Sequence, residues 1–254
     1  MQNTLFSDYY LERLFTEDVA FRNAAQGLDR LRGELLSIFE HIDDWAPDAS
    51  EAELEDRLVR PALRALGFEY LVQTPLRTRG IQTPDYLLYP SSDDRRRAES
   101  DRESAARFAN GLAEAKRWDV PLDRRLAGGG FDRANPSFQV DSYLRDSDLE
   151  WAVLTNGRLW RLYHRSTSYR LDAFLEINLL DALRGETELQ TFAALFSAAA
   201  FPRTDSPLLP RALHESTEFA TALGASLQSN VYGYLSRRNW WCASCPEPLT
   251  LWSL

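Results

Sequence analysis

The chain has 254 residues, of which 44% are hydrophobic and 26% charged, and this globular composition excludes wholesale disorder. No apolar run approaches the ~18 residues of a membrane span, and the amino terminus lacks the basic and apolar regions of a secretion signal. Two cysteines only three positions apart cannot build a disulfide framework, so we expect a reduced, cytoplasmic protein with no membrane partner.

The net charge of −9 is unevenly distributed along the chain. Residues 77–170 carry 17 basic and 14 acidic side chains, whereas the rest of the chain carries 12 and 24. A mildly basic middle in an acidic chain is compatible with a polyanionic ligand but does not require one.

The amino-terminal part is predicted to be helical. Residues 8–41 are rich in helix formers at helical spacing, and we expect two helices with a weak point at Gly27. A polar, proline-containing break is expected over 43–48.

Ser50 is predicted to cap the next helix, with Glu53 completing a capping box. Gly67 suits the carboxyl end of this helix. Pro61 must kink or divide it, because proline removes one backbone hydrogen bond.

Strands are expected at 68–74 and 85–89, joined by a basic turn over 77–80. The charged segment 91–110 is helix-prone, and 111–116 is predicted to be a short strand.

A long loop over 117–135 contains Gly128-Gly129-Gly130, and Asn135-Pro136 is expected to cap a helix that runs to residue 144. Asn156-Gly157 separates two apolar runs, which strongly indicates a β-hairpin.

Residues 169–177 are a candidate for one more strand, and helices return from 178 with a proline-rich break at 201–210. This order of elements predicts an α/β or α+β fold with a mixed central sheet.

Three charged residues could meet on this sheet. Residues two apart on a strand share a face, so Glu114 and Lys116 project together while Ala115 turns away. If the strand that begins at Asp85 is a neighbour, one aspartate, one glutamate and one lysine converge.

This group has a chemical use. Two carboxylates and water ligands suit Mg²⁺, and an ammonium beside them can orient or help deprotonate water for attack on phosphorus. A Glu-x-Lys pair alone is common on strands and is more often a solvated ion pair at a strand edge. Lys116 is nevertheless the one lysine beside 28 arginines, and a surface ion pair would accept arginine whereas a compact ammonium site would not.

The set Pro84-Asp85 and Glu114-Ala115-Lys116 resembles the PD-(D/E)xK nuclease superfamily. Gln139 and Tyr143 resemble an additional motif of the nuclease domains in type I restriction-enzyme motor subunits. Glu51, ten residues before Pro61, resembles the acidic residue of that family's first core helix.

Longer stretches are similar to the N-terminal nuclease region of fused type II restriction-modification enzymes. These stretches are residues 5–10, 114–119 and 154–163, and the resemblance covers roughly residues 5–200. It implies a restriction-endonuclease-like α/β core, a mixed central sheet flanked by helices, with helical extensions at both ends.

The domains expected from this resemblance are an N-terminal helical extension (1–48), the nuclease core (49–177), a helical connector (178–235) and an irregular tail (236–254).

The resemblance also implies roles for individual residues. Asp85 and Glu114 would hold Mg²⁺, for which Mn²⁺ would substitute, with the Ala115 carbonyl oxygen as a further ligand. Lys116 would position the attacking water. Gln139 and Tyr143 would contact DNA or steady the site. Glu51 would bind metal through water, or would only be a carboxylate favoured at a helix start.

The implied function is that of a Mg²⁺-dependent DNA endonuclease module from a restriction-modification or phage-defence system. Its expected partners are double-stranded DNA and a methyltransferase or specificity partner, or a second copy of the chain. The alternative is a catalytically inactive DNA-binding or assembly module. The chain departs from the fused enzymes because it contains no Asn-Pro-Pro-Tyr methyltransferase motif and no Gly-Lys-Ser/Thr phosphate loop.

The remaining features receive more ordinary interpretations. Residues 95–97 are expected to form a solvated arginine face, and Trp118 and Trp160 are expected to pack rather than to stack on bases. Cys242 and Cys245 lack a second pair of zinc ligands. DNA contact is expected to come mainly from arginines that border the site, namely Arg77, Arg79, Arg117, Arg124, Arg125 and Arg145.

Overall fold

The computed structural model describes residues 1–77, 81–122 and 135–238, with only the backbone of residues 77, 81 and 229–238. The strands in this part are β1 (Gln2–Asn3), β2 (Glu69–Val72), β3 (Leu76–Arg77), β4 (Ile81–Gln82), β5 (Tyr86–Tyr89), β6 (Gly111–Ala115), β7 (Trp151–Thr155), β8 (Leu159–His164) and β9 (Leu175–Asn178).

The helices surround these strands in sequence. They are α1 (Val19–Ala24), α2 (Leu28–Ile38), α3 (Ile42–Trp45), α4 (Glu51–Leu54), α5 (Arg60–Ala65), α6 (Ser92–Ser100), α7 (Pro136–Asp146), α8 (Leu179–Ala182), α9 (Glu186–Phe196) and α10 (Leu208–Arg238).

Seven strands form one sheet in the order β1-β9-β8-β7-β6-β5-β2, while β3 and β4 form a separate two-stranded antiparallel sheet. The pair β6–β7 is parallel and the other pairs of this sheet are antiparallel. The predicted mixed sheet with flanking helices is therefore confirmed. The hairpin predicted at Asn156-Gly157 is also confirmed, because β7 pairs with β8 and Gly157 has a φ of +84°.

The sheet is covered on both faces. Alternate side chains such as Ala113 and Val153 join a large core that also contains α2, α5 and α9. The other set, including Leu112 and Leu154, packs with residues of α6 and α7. Both faces of β5, β6 and β7 are buried, which explains why these strands read as nearly continuous apolar runs.

Side-chain caps fix several helix starts as the sequence predicts. The Ser50 hydroxyl accepts a hydrogen bond from the Glu53 N–H at 3.2 Å. The Asn135 side chain accepts one from the Ser137 N–H at 2.8 Å, with Pro136 in the first turn. Glu53 does not complete the capping box, because its carboxylate binds Arg57 at 2.9 Å.

The helix that follows Ser50 is divided as predicted. A widened turn over Glu55–Val59 separates α4 from α5, just before Pro61. Gly67 lies just past the end of α5, and its φ of +83° is in the left-handed region that favours glycine.

Other boundaries differ from the prediction. The expected break at 43–48 is helical, with α3 followed by a tight turn over Ala46–Asp48. Polar composition alone does not prevent a helical turn when Ile42 and Ala46 are buried. The candidate strand at 169–177 begins with a turn, so β9 is confined to Leu175–Asn178.

The proline-rich break predicted near the carboxyl end is shorter than expected. The expected break at 201–210 ends earlier because α10 starts at Leu208 and accommodates Pro210 in its first turn, where no amide partner is required. Among the helices of the described ranges, none is long and apolar enough to cross a membrane.

Candidate functional site

Asp85 and Glu114 meet at one end of the β5–β6 pair. The antiparallel register places Tyr86 opposite Ala113, so the next positions outward are Asp85 and Glu114. The Asp85 N–H donates to the Glu114 carboxylate at 3.3 Å. Asp85 precedes Leu87 by two positions and Glu114 follows Leu112 by two, and both leucines lie on the α7 side of the sheet. The two carboxylates are therefore on adjacent strands and on the same face.

Ala115 joins the two strand ends. Its N–H donates to Oδ2 of Asp85 at 2.8 Å, while its methyl group is buried on the opposite face. The contact between Ala115 and Asp85 is thus made by the amide group, whereas the resemblance implied a role for the carbonyl oxygen.

Lys116 completes the group. Its Nζ donates to Oε1 of Glu114 at 2.6 Å, and its side chain is only 17% exposed. Its backbone N–H donates to the Thr155 carbonyl at 2.8 Å, which extends the β6–β7 pairing by one position. The sequence prediction that Asp85, Glu114 and Lys116 converge is met in the structure.

The charges in this group influence one another. Burial raises the pKa of Glu114 to about 7, and the Asp85 carboxylate adds to the effect, although Lys116 opposes it. Burial alone would lower the pKa of Lys116, but the carboxylates of Glu114, Glu51 and Asp85 outweigh it and raise the pKa. Lys116 is therefore a cation at neutral pH, while the Glu114 carboxyl is poised between its two protonation states.

Tyr143 and Gln139 stand beside the carboxylates on α7. Gln139 Nε2 donates to the Tyr143 hydroxyl at 2.6 Å, and that hydroxyl donates to the Thr83 carbonyl at 3.2 Å. Burial raises the pKa of Tyr143, and the charges of Glu114 and Asp85 raise it further. The hydroxyl thus keeps its proton and holds the backbone two residues before Asp85.

Glu51 lies in the first turn of α4 and is partly buried. It acts on the site through its charge, which contributes to the raised pKa of Lys116. No hydrogen bond joins it to Asp85 or Glu114 in the described part of the chain, and both roles proposed for it stay predictions.

Glu55 is a buried acid that the sequence analysis missed. It is 8% exposed, accepts a hydrogen bond from the Tyr86 hydroxyl and pairs with Arg60 at 3.7 Å. Burial raises its pKa, and the Asp85 charge adds to this. Its burial beside Tyr86, 31 residues further along the chain, left no local signal in the sequence.

The oxygen ligands present here suit a hard cation only in part. Both oxygens of Glu114 and one of Asp85 already accept hydrogen bonds. Within the described residues, no group of three or more His, Cys, Asp or Glu side chains is arranged to hold a metal ion. Mg²⁺ bound here would take most of its six ligands from water.

Of the arginines expected to contact DNA, two form ion pairs with carboxylates and the others lie wholly or partly outside the described residues. Arg117 pairs with Asp119 at 2.7 Å, and Arg145 pairs with Asp141 at 2.6 Å. Arg79, Arg124, Arg125, the side chain of Arg77, the glycine run 128–130 and both cysteines lie outside the described residues.

Arg96 and Arg97 are exposed on α6 as expected, whereas the Arg95 side chain is only 29% exposed, and both tryptophans pack against the core. Arg95, Arg96 and Arg97 each pair with a carboxylate. Trp160 is fully buried against Phe192, and Trp118 packs partly buried against the larger core.

A cavity of about 510 Å³ lies away from this group, between α1, α2, α9 and the start of α10. Its lining is mostly alanine and other small or apolar side chains, with Arg211 as its one charged member among the described residues. The cavity therefore lacks the convergent charged side chains of the Asp85–Glu114–Lys116 group, which is the candidate site.

Comparisons of the chain with protein-family models, with curated proteins and with solved structures found no match.

Proposed function

We propose that the chain is a Mg²⁺-dependent DNA endonuclease module of a restriction-modification or phage-defence system. The observation that carries this proposal is the convergence of Asp85, Glu114 and Lys116 at the shared end of two adjacent strands. An Asp–Glu–Lys group in this order resembles the PD-(D/E)xK nucleases, and the mixed sheet between helices supports a restriction-endonuclease-like core.

In this proposal Asp85 and Glu114 would hold Mg²⁺, with Mn²⁺ as a substitute. The Ala115 carbonyl and, through water, Glu51 are the further candidate ligands. The raised pKa of Glu114 supports cation binding, because a nearby positive charge would stabilise the ionised carboxylate. When bound, the metal would offset the negative charge that builds on the phosphate oxygens.

Lys116 would then work as a fixed cation. Since its pKa is raised, it keeps its proton and cannot serve as a base in the resting site. It would donate hydrogen bonds that orient the attacking water and stabilise the phosphate charge. Gln139 and Tyr143 would steady Asp85 through the Thr83 carbonyl.

One observation favours the alternative of a catalytically inactive DNA-binding or assembly module. The described residues supply two carboxylates and no third acidic ligand that completes a metal group. Under either reading the proposed partner is double-stranded DNA in the cytoplasm, with a methyltransferase, a specificity partner or a second copy alongside.

A plasmid assay separates these functions. We expect supercoiled plasmid to be nicked or linearised with Mg²⁺ or Mn²⁺, and to stay intact with EDTA. Lys116→Arg should lower the rate at least a hundredfold, about 3 kcal/mol of transition-state stabilisation, because a guanidinium is larger and spreads its charge over a planar fork.

The matched control is Arg96→Lys, a charge-conserving exchange on the exposed, ion-paired face of α6. It should cleave at the parental rate. The inactive-module alternative is supported if the parent binds duplex DNA but never cuts it, and a Lys116→Arg variant that cuts at the parental rate removes this lysine from the mechanism.

A further inference from the structure

The β7–β8 turn is built against the end of β6 that carries Lys116. The Asn156 side chain accepts a hydrogen bond from the Leu159 N–H at 2.8 Å and donates one to the Val120 carbonyl at 3.1 Å. An added Cβ on Gly157 would lie 3.4 Å from the Trp118 ring. These contacts fix the turn relative to the segment that follows Lys116.

Arg158 is exposed on this turn and lies over an aromatic ring. Its guanidinium carbon is 5.9 Å from the centroid of Trp118, within the range of a cation–π contact. Trp118 follows Lys116 by two positions and is anchored against the core. The contact with Trp118 therefore keeps the positive charge of Arg158 close to the end of β6 that carries Lys116.

Unlike Arg117 and Arg145, Arg158 makes no ion pair with a described residue. Arg117 and Arg145 are paired with Asp119 and Asp141. No salt bridge joins Arg158 to a carboxylate in the part of the chain that the structure describes. Although the protein has a net charge of −9, the positive charge of such an arginine can attract an anion locally.

We propose that Arg158, which lies over the Trp118 ring, binds a backbone phosphate of duplex DNA beside the site. The inference rests on the proposed function and adds a contact that the sequence analysis did not assign. Phosphates approaching Asp85 and Glu114 are repelled by two carboxylates, and Lys116 is already bound to one of them. A planar guanidinium can hold a phosphate through two parallel hydrogen bonds, and the ring limits the freedom lost on binding.

The test compares Arg158→Gln with Arg165→Gln. These arginines flank β8 at its two ends, both are exposed, and neither has a carboxylate partner among the described residues. Binding of a short fluorescent duplex is measured by anisotropy at several salt concentrations without divalent metal. Arg158→Gln should weaken binding several-fold and lower the slope of log Kd against log salt by about 0.9, the effect of one phosphate contact.

Arg158→Lys refines the result. It keeps the positive charge, so the salt slope should stay parental, but it loses the planar fork and should weaken binding about twofold to threefold.

The outcomes distinguish this inference from the proposed function. If Arg158→Gln and Arg165→Gln change the Kd and the slope equally, or if Arg158→Gln changes neither, the phosphate contact is overturned while the nuclease proposal stands. If the parent does not bind duplex DNA at all, the proposed function and this inference both fail. If the parent binds without cutting and only Arg158→Gln reduces the slope, the contact is supported and the catalytic proposal is not.

Discussion

Glu114 is surrounded by groups with opposing effects on its charge. It is 2% exposed, lies against the Asp85 amide and receives the Lys116 ammonium at 2.6 Å. Burial and the neighbouring carboxylate favour the protonated form, whereas the ammonium favours the ionised form. Because the first two effects dominate, ionising Glu114 requires more free energy in the folded protein than in the unfolded chain.

This imbalance predicts how stability depends on pH. The folded carboxyl keeps its proton up to about pH 7, while a glutamate in the unfolded chain releases its proton near pH 4.5. Between these values the unfolded chain binds fewer protons, so the free energy of unfolding should fall as pH rises, by up to about 3 kcal/mol from this group. Urea unfolding at pH 5 and pH 8 without divalent metal measures the change.

Glu114→Gln supplies the comparison, because glutamine has the same shape and does not titrate. The variant should be more stable than the parent at pH 8, and the difference should vanish below about pH 4.5. Glu55 also has a raised pKa, but it contributes equally to both proteins. A parent and variant with the same pH dependence would show that Glu114 is not the titrating group.

At the scale of residues, the sequence predicted those side-chain contacts that follow from the spacing of residues along one strand. Glu114 and Lys116 share a face because of strand periodicity, and their pairing with Asp85 required only that the two strands be neighbours. The sequence did not predict the buried position of Glu55, because Glu55 is buried beside Tyr86, 31 residues away, and no local pattern reveals this contact.

At the scale of elements, β6 begins where two backbones come unusually close. A Cβ on Gly111 would lie 2.7 Å from the Trp151 carbonyl oxygen and 3.1 Å from the Phe201 ring. The parallel β6–β7 pair therefore depends on a missing side chain at its first position, and that pair positions the backbone of Lys116.

Gly111→Ala should lower the free energy of unfolding by about 1–3 kcal/mol, because the carbonyl cannot move without disturbing the sheet. Gly33→Ala is the control: this glycine lies inside α2 with nothing within 4 Å of an added Cβ, so the exchange should stabilise by about 0.5–1 kcal/mol. Chemical denaturation of both variants tests the pair. Equal stabilisation would mean that the approach of Gly111 to Trp151 is not tight in solution.

Elements with their own local signals were predicted, and those that depend on distant partners were not. The capped helices and the Asn156-Gly157 hairpin carry their instructions within a few residues. The two-residue strand β1 has no such signal, since it exists only because β9 offers an edge. The helical turns over 42–48 likewise follow from burial of Ile42 and Ala46.

At the scale of the whole molecule, one core crosses the expected domain boundaries. Leu5 and Phe6 are buried in the same cluster as Val153 of the sheet and Phe196 and Leu209 near the carboxyl end. The division into four domains stays a prediction. Because Leu5 and Phe6 pack in the same core as the sheet, we expect the N-terminal segment to contribute to the stability of the sheet.

Phe6→Ala should cost about 3–5 kcal/mol of unfolding free energy, because it empties a site that is only 5% exposed. Tyr9→Ala in the same segment should cost less than about 1.5 kcal/mol, since Tyr9 is 49% exposed and mainly stacks on Phe219. Urea unfolding followed by tryptophan fluorescence should show one transition for each. Small, similar losses for both variants would mean that residues 1–10 fold apart from the core.

The pairing of β1 with β9 has a consequence for how the protein is made. Asn3 lies opposite Leu175, so a ribosome must add 172 residues after Asn3 before its partner exists. At about 5–20 residues per second, this takes roughly 9 to 34 s. Throughout that time Leu5 and Phe6, which follow Asn3, lack much of the core that buries them. Strand β1 is therefore among the last parts of the sheet to fold, and the sheet cannot assemble simply in the order in which its strands are synthesised.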